Sequence, residues 1–485
     1  MKIFNPSRAF LPGNTSWLFF EVVMMSNEWN PTIKIGKRPL YIALADALES
    51  DINSGILKPG DKLPPQRELA DLIGVNLSTV TRALRVCELK GLISGVVGRG
   101  TFVAADVKVS LSLISQDKTL NLIEMGQVLP LYGINKVTAR MVKDSLQDMD
   151  MERLIRYSEP AGHLNHRVIG AEWLKRFNIN ASAEEILITP GSQNAIAICL
   201  LTLFDPGDRI AVDSLTYPGL KTLAALHGIR LVPIEMTSEG MSPQGLLNAC
   251  KNEGIKGIYL MPEVQNPTTI SMTQNIREQI ADFIRKYNLI LIEDNAYGYT
   301  GNLESVPISA YVPNQGIYVG GTSKLLGPGF RISFVRVPEP YIESMEKGLL
   351  NTTWMASPIT AELVTRLIVT GKADAIMEDK RKEARKRNES ALKILSGYDI
   401  VNRPCGFFQW LILPTGWQGR EFELLAREAG VQVFCAEKFA VGSIPAPSAV
   451  RISLSGPDTI EELEKGLDIL KKVLQKGYQN HTIII

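Results

Sequence analysis

The strongest constraint on this chain is an alternation that fills its last three quarters. Short apolar runs, RIAVD, GIRLVPIEM, GIYLMPE, NLILIED, QGIYVGG and RISFVRV, are separated by helix-like segments. Runs this short and this apolar do not alternate between a wet and a dry side, so they suit strands covered on both faces. The expected fold class is α/β, a mostly parallel sheet with helices on both faces. No internal repeat or low-complexity tract competes with that reading. In open sheets of this kind ligands bind beyond the carboxyl ends of the strands, so the residues that follow each run are the first candidates for chemistry.

Those residues form a set. After ILIT comes PGSQNAI, a helix start at Gly191, Ser192 and Gln193 whose free N–H groups suit a phosphate, although any capped helix looks similar. After RIAVD, the turn SLTYPG places Tyr217 where a ring can lie over a flat ligand or simply pack. PEVQNPTT supplies Asn266, and NLILIE is followed by Asp294, with Tyr297 close behind. Asp294 alone reads as a turn cap. The loop GGTSKLLGPGFRISF carries Ser323, Lys324 and Arg331. A lone loop lysine is ordinarily a surface cation, but a lysine in a dry pocket loses basicity and becomes a nucleophilic amine able to form a Schiff base. Pyridoxal 5'-phosphate requires such a lysine, a carboxylate at its pyridinium nitrogen, donors for its phenolic oxygen and a phosphate cup. Lys324, Asp294, Asn266 with Tyr297, and Ser192, Gln193, Ser323 and Arg331 supply these in turn.

The front of the chain has another period. Leu40, Leu44, Leu48 and Ile52 mark one helix face, SGILKPGDKLP stops it, and PQRELADLIG opens a second helix that Gly74 closes. LSTVTRALRVCELKG then reads as a third helix, with Leu77, Val80, Leu84 and Cys87 as its buried stripe and Ser78, Thr79, Thr81, Arg82 and Arg85 outward. LISGVVGRGTFV closes the unit as a hairpin. This order is that of a winged helix-turn-helix, whose third helix suits the major groove of double-stranded DNA while the wing and the second helix meet phosphates. Residues 31–103 hold ten Lys and Arg against seven Asp and Glu, an excess too small to argue from alone.

Elsewhere the sequence mostly excludes. The net charge of +1 over 485 residues leaves nucleic-acid contact to a local patch. Five cysteines, at positions 87, 199, 250, 405 and 435, stand singly and suit reduced thiols in a cytoplasmic protein. His163 and His166 lack metal-ligating neighbours and read as a polar helix start. Residues 1–30 are taken as an extension, with Met24 or Met25 as alternative starts. Their apolar run WLFFEVVMM is too short to span a membrane, so no membrane partner is expected. Residues 104–120 read as a polar linker, and the basic run EDKRKEARKRNES near Glu378 as a solvated helix face.

The segment GILKPGDKLPPQRELADLIGVNLSTVTRALRVCELKGLI with GRGTFV resembles the DNA-binding domain of the GntR family. By that resemblance Arg67, Ser78, Thr79 and Arg82 meet the operator, with Arg99 and Gly100 in the wing. TPGSQNAI, TYPG, QNPT, EDNAYGY and SKLLGPGFRISF resemble fold type I, class I/II aminotransferases over residues 121–485, with a smaller subdomain from about residue 340. The resemblance implies that Lys324 carries the cofactor, that Asp294 faces its ring nitrogen, that Asn266 and Tyr297 serve its phenolic oxygen, that Tyr217 stacks and that Arg331 takes phosphate. VRISLSG resembles the segment whose arginine, here Arg451, clamps a substrate or effector carboxylate. The combination resembles the MocR group of bacterial regulators, which implies a head-to-tail homodimer that binds an operator and responds to a small amino compound or to pyridoxal phosphate itself. A catalytically active aminotransferase with an accessory winged helix is the alternative. Two positions depart from the family pattern. Thr269 stands where glycine is usual after Asn-Pro-Thr, and Gly321 stands where a phosphate-binding hydroxyl is usual.

Overall fold

In the computed structural model, residues 29, 31, 39–54, 56–57, 61–89, 92–96, 100–103, 122–146, 149–442 and 444–481 are described. The expected extension, apart from Trp29, the linker and Arg99 fall outside them.

The front unit consists of helices Leu40–Ser54, Gln66–Ile73 and Leu77–Leu89 and a hairpin of strands Ile93–Val96 and Gly100–Val103. Gly74 ends the second helix with φ 70°, a conformation that a side chain disfavours. Leu44, Leu48, Leu69, Val80, Leu84, Cys87 and Val103 share one core. Two sequence expectations change. Trp29, assigned to the extension, is only 6% exposed within that core, and its indole N–H donates to Asp51 Oδ2 at 2.8 Å. The packed unit therefore already includes residue 29, because a buried indole contributes more apolar area than any nearby aliphatic group. Leu77 was placed in the buried stripe but is 42% exposed, since it is the first residue of its helix and lies ahead of the packed turn.

The large domain is built on a seven-stranded sheet in the spatial order Ile186–Thr189, Ser333–Arg336, Gly316–Gly321, Ile290–Asp294, Gly257–Leu260, Arg209–Asp213, Arg230–Ile234. All neighbours are parallel except Ser333–Arg336, which is antiparallel to both flanking strands. Every residue of Ile186–Thr189, Gly257–Leu260 and Ser333–Arg336 is buried, as runs without alternation require. Helices such as Ser192–Leu203 and Gln274–Tyr287 cover the sheet.

A second sheet of four strands, Asp399–Val401, Phe408–Ile412, Ala449–Ser453 and Phe434–Cys435, forms the smaller C-terminal unit with helix Ile460–His481. Ile123 and Met125, from the front of the large domain, enter its core, and Ile123–Glu124 pairs in parallel with Val431–Gln432. The basic run near Glu378 corrects a further expectation. It lies in helix Lys372–Ile394, but Lys380 and Arg387 are buried. Arg387 donates to the carbonyls of Leu454, Pro457 and Asp458, and Arg381 to those of Tyr299 and Gly301. Several of these cations tie separate segments of the chain together instead of facing solvent, because an isolated helix pattern does not show which carbonyls lie opposite it.

Thr269 is fully buried and holds φ at 60°, the left-handed region that a β-branched residue resists. The turn is imposed by its surroundings. Gln265 Oε1 accepts from the Thr268 N–H and hydroxyl, and Arg403 Nε donates to the Thr269 carbonyl at 3.1 Å. The Thr269 hydroxyl has no partner. Thr269→Gly removes the backbone strain and the unpartnered hydroxyl while losing one buried methyl group, so stability is expected to rise by about 1 kcal/mol. Thermal unfolding of the two proteins checks this.

Candidate functional site

The strand ends converge on a cavity of about 220 Å³ lined by Ser192, Gln193, Tyr217, Asn266, Asp294, Tyr297, Ser323, Lys324 and Arg331. Nine residues chosen from the sequence thus come together, and Arg451 lies directly behind Asn266.

Lys324 is partly buried, and its Nζ donates to the Val128 carbonyl at 2.6 Å. Burial lowers its pKa to about 8, with the Arg451 and Arg331 charges adding to the shift. The nucleophile is the unprotonated amine, whose share grows as pH passes 8 instead of 10.5. The attachment rate of pyridoxal phosphate to cofactor-free protein is accordingly expected to rise between about pH 7 and 9 and then level off. Stopped-flow absorbance across that range tests this, and a midpoint at the ordinary lysine value contradicts it.

Asp294 ends strand Ile290–Asp294 and is 3% exposed. Its Oδ2 accepts the Tyr259 hydroxyl at 2.8 Å, while Oδ1 is buried without a partner. Desolvation raises its pKa from 3.8 to about 6. A buried carboxylate with one oxygen held and the other left over is a receptor for a protonated ring nitrogen. Tyr259 was not found from the sequence, because an inward tyrosine inside GIYL looks like any core residue.

At the other end, helix Ser192–Leu203 starts after Gly191, whose φ is 84°. A Cβ on Gly191 would fall 2.5 Å from Arg331 Nη2, so only glycine lets the guanidinium lie across the helix start. Arg331 also donates to Ser323 Oγ at 3.4 Å and to the Pro190 carbonyl at 3.1 Å. The helix N-terminus, Ser323 and this exposed cation make a cup suited to a phosphate. Gly321 resolves one departure from the family pattern. A Cβ there would meet Ser192 Oγ at 2.4 Å, so the glycine gives the Ser192 hydroxyl its space, and that hydroxyl pairs with Ser333 Oγ at 3.0 Å. Thr322 does not supply the missing hydroxyl, since it is buried and donates to the Ile332 carbonyl.

Tyr217 lines the cavity and donates to Gln193 Oε1 at 2.9 Å, so part of the Gln193 side chain is used in holding the ring. Tyr297 is buried, packs edge-on against Phe408, and has its ring centroid 6.0 Å from Lys324 Nζ. Arg451 is 4% exposed among the rings of Phe408, Phe434 and Phe439. Its Nη1 donates to Asn266 Oδ1 at 2.5 Å and its Nη2 to the Gly126 carbonyl at 2.6 Å, while Nε is buried and unpartnered. With Oδ1 taken, Asn266 offers its NH2 as the donor toward the cavity. Burial lowers the Arg451 pKa to about 10. No salt bridge joins it to a carboxylate among the described residues, as a site for an incoming carboxylate requires.

Lys380, expected from the sequence on a solvated helix face, is fully buried and donates to the Lys324 carbonyl at 3.1 Å. His166 is buried and pairs with Glu362 Oε2 at 2.7 Å, His163 Nε2 is buried without a partner, and no group of three metal-ligating side chains is found among the described residues.

In the front unit Arg67, Ser78, Arg82 and Gly100 are exposed and Thr79 is half-buried, on or beside the third helix and the wing. Thr81 is tied back to Gln66 Oε1 of the preceding helix at 2.8 Å.

Residues 40–103 match the family described as bacterial regulatory proteins, gntR family, and residues 121–470 match aminotransferase class I and II. The HTH-type transcriptional regulator YdeF of Bacillus subtilis (strain 168) is 42% identical over 94% of this chain and 98% of its own. The vitamin B6 salvage pathway transcriptional repressor PtsJ of Salmonella typhimurium is 26% identical over 84% of this chain and 93% of its own. Among solved structures, an archaeal alanine:glyoxylate aminotransferase superposes with a TM-score of 0.67 at 25% identity, over 74% of this chain and 92% of that one. The chain thus belongs to the aminotransferase class I and II family and, through the GntR-type reader ahead of that domain, to the MocR type of helix-turn-helix transcriptional regulators.

Proposed function

We propose that this regulator holds pyridoxal phosphate on Lys324 and alters its grip on an operator when a carboxylate-bearing amino compound enters beside Arg451. The observation that carries the reading is the pairing, in one cavity, of a partly buried amine of lowered basicity with the unpartnered oxygen of Asp294. The class I and II family uses pyridoxal phosphate, which supplies an aldehyde and an electron-withdrawing ring. The chain's own residues do the rest. Lys324 provides the amine, Asp294 keeps a proton at the ring nitrogen, Asn266 and Tyr297 face the phenolic oxygen, Tyr217 covers the ring, and Ser192, Gln193, Ser323 and Arg331 take the phosphate. Arg451 meets a carboxylate with its guanidinium edge.

Arg67, Ser78, Thr79 and Arg82, with Arg99 and Gly100 in the wing, contact DNA. A homodimer in the cytoplasm fits this role, and exposed Tyr157, Leu164, Val168 and Trp354 on the large domain support a covering second copy. Arg82→Ala is expected to weaken binding to DNA upstream of the gene and to lower the dependence of log affinity on log salt by about one unit. Binding titrations at several salt concentrations read this. A protein that binds no such DNA, with or without pyridoxal phosphate and amino acids, overturns the reading.

The retained set allows a second reading, a working aminotransferase, because binding an amino acid and transferring its amino group use nearly the same residues. Multiple turnovers with a 2-oxo acid and no DNA response identify that case.

A further inference from the structure

We propose that Glu124 is the positioning residue of a strap, residues 122–131, whose carbonyls hold Lys324 and Arg451 until ligands displace them, so that occupancy of the site is passed toward the DNA reader. The proposal rests on the roles of Lys324 and Arg451 given above and adds the route by which they act.

The strap begins as the short strand Ile123–Glu124, fixed by Ile123 N–H to the Gly430 carbonyl and Met125 N–H to the Gln432 carbonyl, both at 2.9 Å. The Met125 carbonyl accepts from Ser453 N–H at 2.7 Å. Beyond Met125 no strand partner continues among the described residues, and the Glu124 carboxylate shapes the chain instead. Its Oε1 accepts from the backbone N–H groups of Gly126 at 2.7 Å and Gln127 at 2.8 Å. The resulting turn aims the Gly126 carbonyl at Arg451 Nη2 and the Val128 carbonyl at Lys324 Nζ, each at 2.6 Å. The two cations of the site thus grip one strap at carbonyls two residues apart. The fit leaves little freedom, since a Cβ on Gly126 would lie 2.8 Å from the Phe434 ring.

Binding chemistry breaks both grips. When the neutral Lys324 amine takes up an aldehyde, a C=N bond forms and both amine hydrogens leave with the aldehyde oxygen as water. Both hydrogens available to the Val128 carbonyl are lost, and the single proton that the imine nitrogen regains, in the form that absorbs in the visible, is drawn to the cofactor's phenolic oxygen in place of that carbonyl. A carboxylate arriving at Arg451 then competes with the Gly126 carbonyl for the guanidinium N–H groups. Cofactor therefore releases one hold and an amino acid contests the second. Upstream, residue 122 follows the wing strand Gly100–Val103 along the same chain, and the DNA measurement below reads whether displacement of the strap reaches the reader.

The test uses the full chain and pyridoxal phosphate as probe, with amide exchange read by mass spectrometry, the visible absorption band of cofactor on lysine, and affinity for the upstream DNA. In the wild type, cofactor is expected to speed exchange at Gly126 and Gln127 by about tenfold, the size of one net hydrogen bond, and in Lys324→Ala to leave it unchanged. Glu124→Ala is expected to exchange rapidly before any cofactor is added, to capture cofactor, and to change its DNA affinity less than about twofold on capture. Glu124→Gln keeps an acceptor oxygen and is expected to retain the wild-type response, which separates positioning from a folding defect. Unchanged strap exchange despite a full visible band overturns the proposal, as does an undiminished DNA response in Glu124→Ala. A wild type that shows no visible band overturns the assignment of Lys324 itself, a different failure that removes this proposal with it.

Discussion

Lys324→Ala is expected to abolish the visible band formed with pyridoxal phosphate, to weaken cofactor retention by at least about 100-fold, and to leave DNA binding insensitive to cofactor. The phosphate cup at Ser192, Ser323 and Arg331 survives the change, so weak noncovalent binding persists. What is lost is the only side-chain amine among the described residues that line the cavity. The same substitution has an opposite effect on the cofactor-free protein. The Lys324 pKa falls from 10.5 to about 8 in the fold, so below pH 8 folding must keep an ammonium in a dry site. Removing it is expected to raise the melting temperature of cofactor-free protein at pH 7, with a gain that shrinks as pH rises from 8 toward 10.5. Dialysis against excess pyridoxal phosphate followed by spectra, and melting curves at two pH values, check both halves. Retention of the band in Lys324→Ala would place the reactive amine elsewhere.

Asp294→Asn carries the second large effect. In the folded chain the carboxyl pKa stands at about 6 against an ordinary 3.8, so the charged form is disfavoured by burial. A raised carboxyl pKa removes stability as pH climbs from about 4 to 6, and the full penalty, on the order of 3 kcal/mol, remains above that range. Asparagine still accepts the Tyr259 hydroxyl but carries no charge. Cofactor-free Asp294→Asn is therefore expected to be more stable than wild type at pH 7 by about 1–3 kcal/mol, with the difference vanishing below pH 4. With pyridoxal phosphate the order reverses, because no anion then holds the proton at the ring nitrogen, and affinity is expected to fall by about 100-fold. Denaturant unfolding with and without cofactor measures both. An unchanged affinity would mean that another group faces that nitrogen.

The strand ends were legible because each apolar run stops at a residue whose chemistry differs from its surroundings. Lys324, Asp294, Asn266 and Tyr217 could be chosen on that basis, and the cavity brings them together. Arg451 was legible only through a segment pattern, since its guanidinium is surrounded by rings from three separate places in the chain. Tyr259, Lys380 and Glu124 were not legible. Tyr259 and Lys380 act across the fold on residues far from them in sequence, Glu124 acts on its own turn, whose carbonyls meet distant cations, and none stands out in its own segment. Thr269 was legible as a conflict but not in its outcome, because Gln265 and Arg403 impose the turn against the preference of a β-branched side chain. Gly321 was legible as a missing hydroxyl, but only the contact distance shows that its missing side chain makes room for Ser192. In the reader, helix period located the first and third helices and the proline and glycine boundaries the second, but the burial of Trp29 depends on an indole N–H meeting Asp51, which no periodicity reports.

The pairing of Ile123–Glu124 with Val431–Gln432 has a consequence for biosynthesis. The reader has its own core and closes from residues 29–103, whereas the large domain cannot seat its first strand until residues more than 300 positions later have been translated. At ordinary elongation rates that interval is on the order of half a minute. Each nascent chain thus presents a complete DNA reader on the ribosome well before the domain that is to govern it can close.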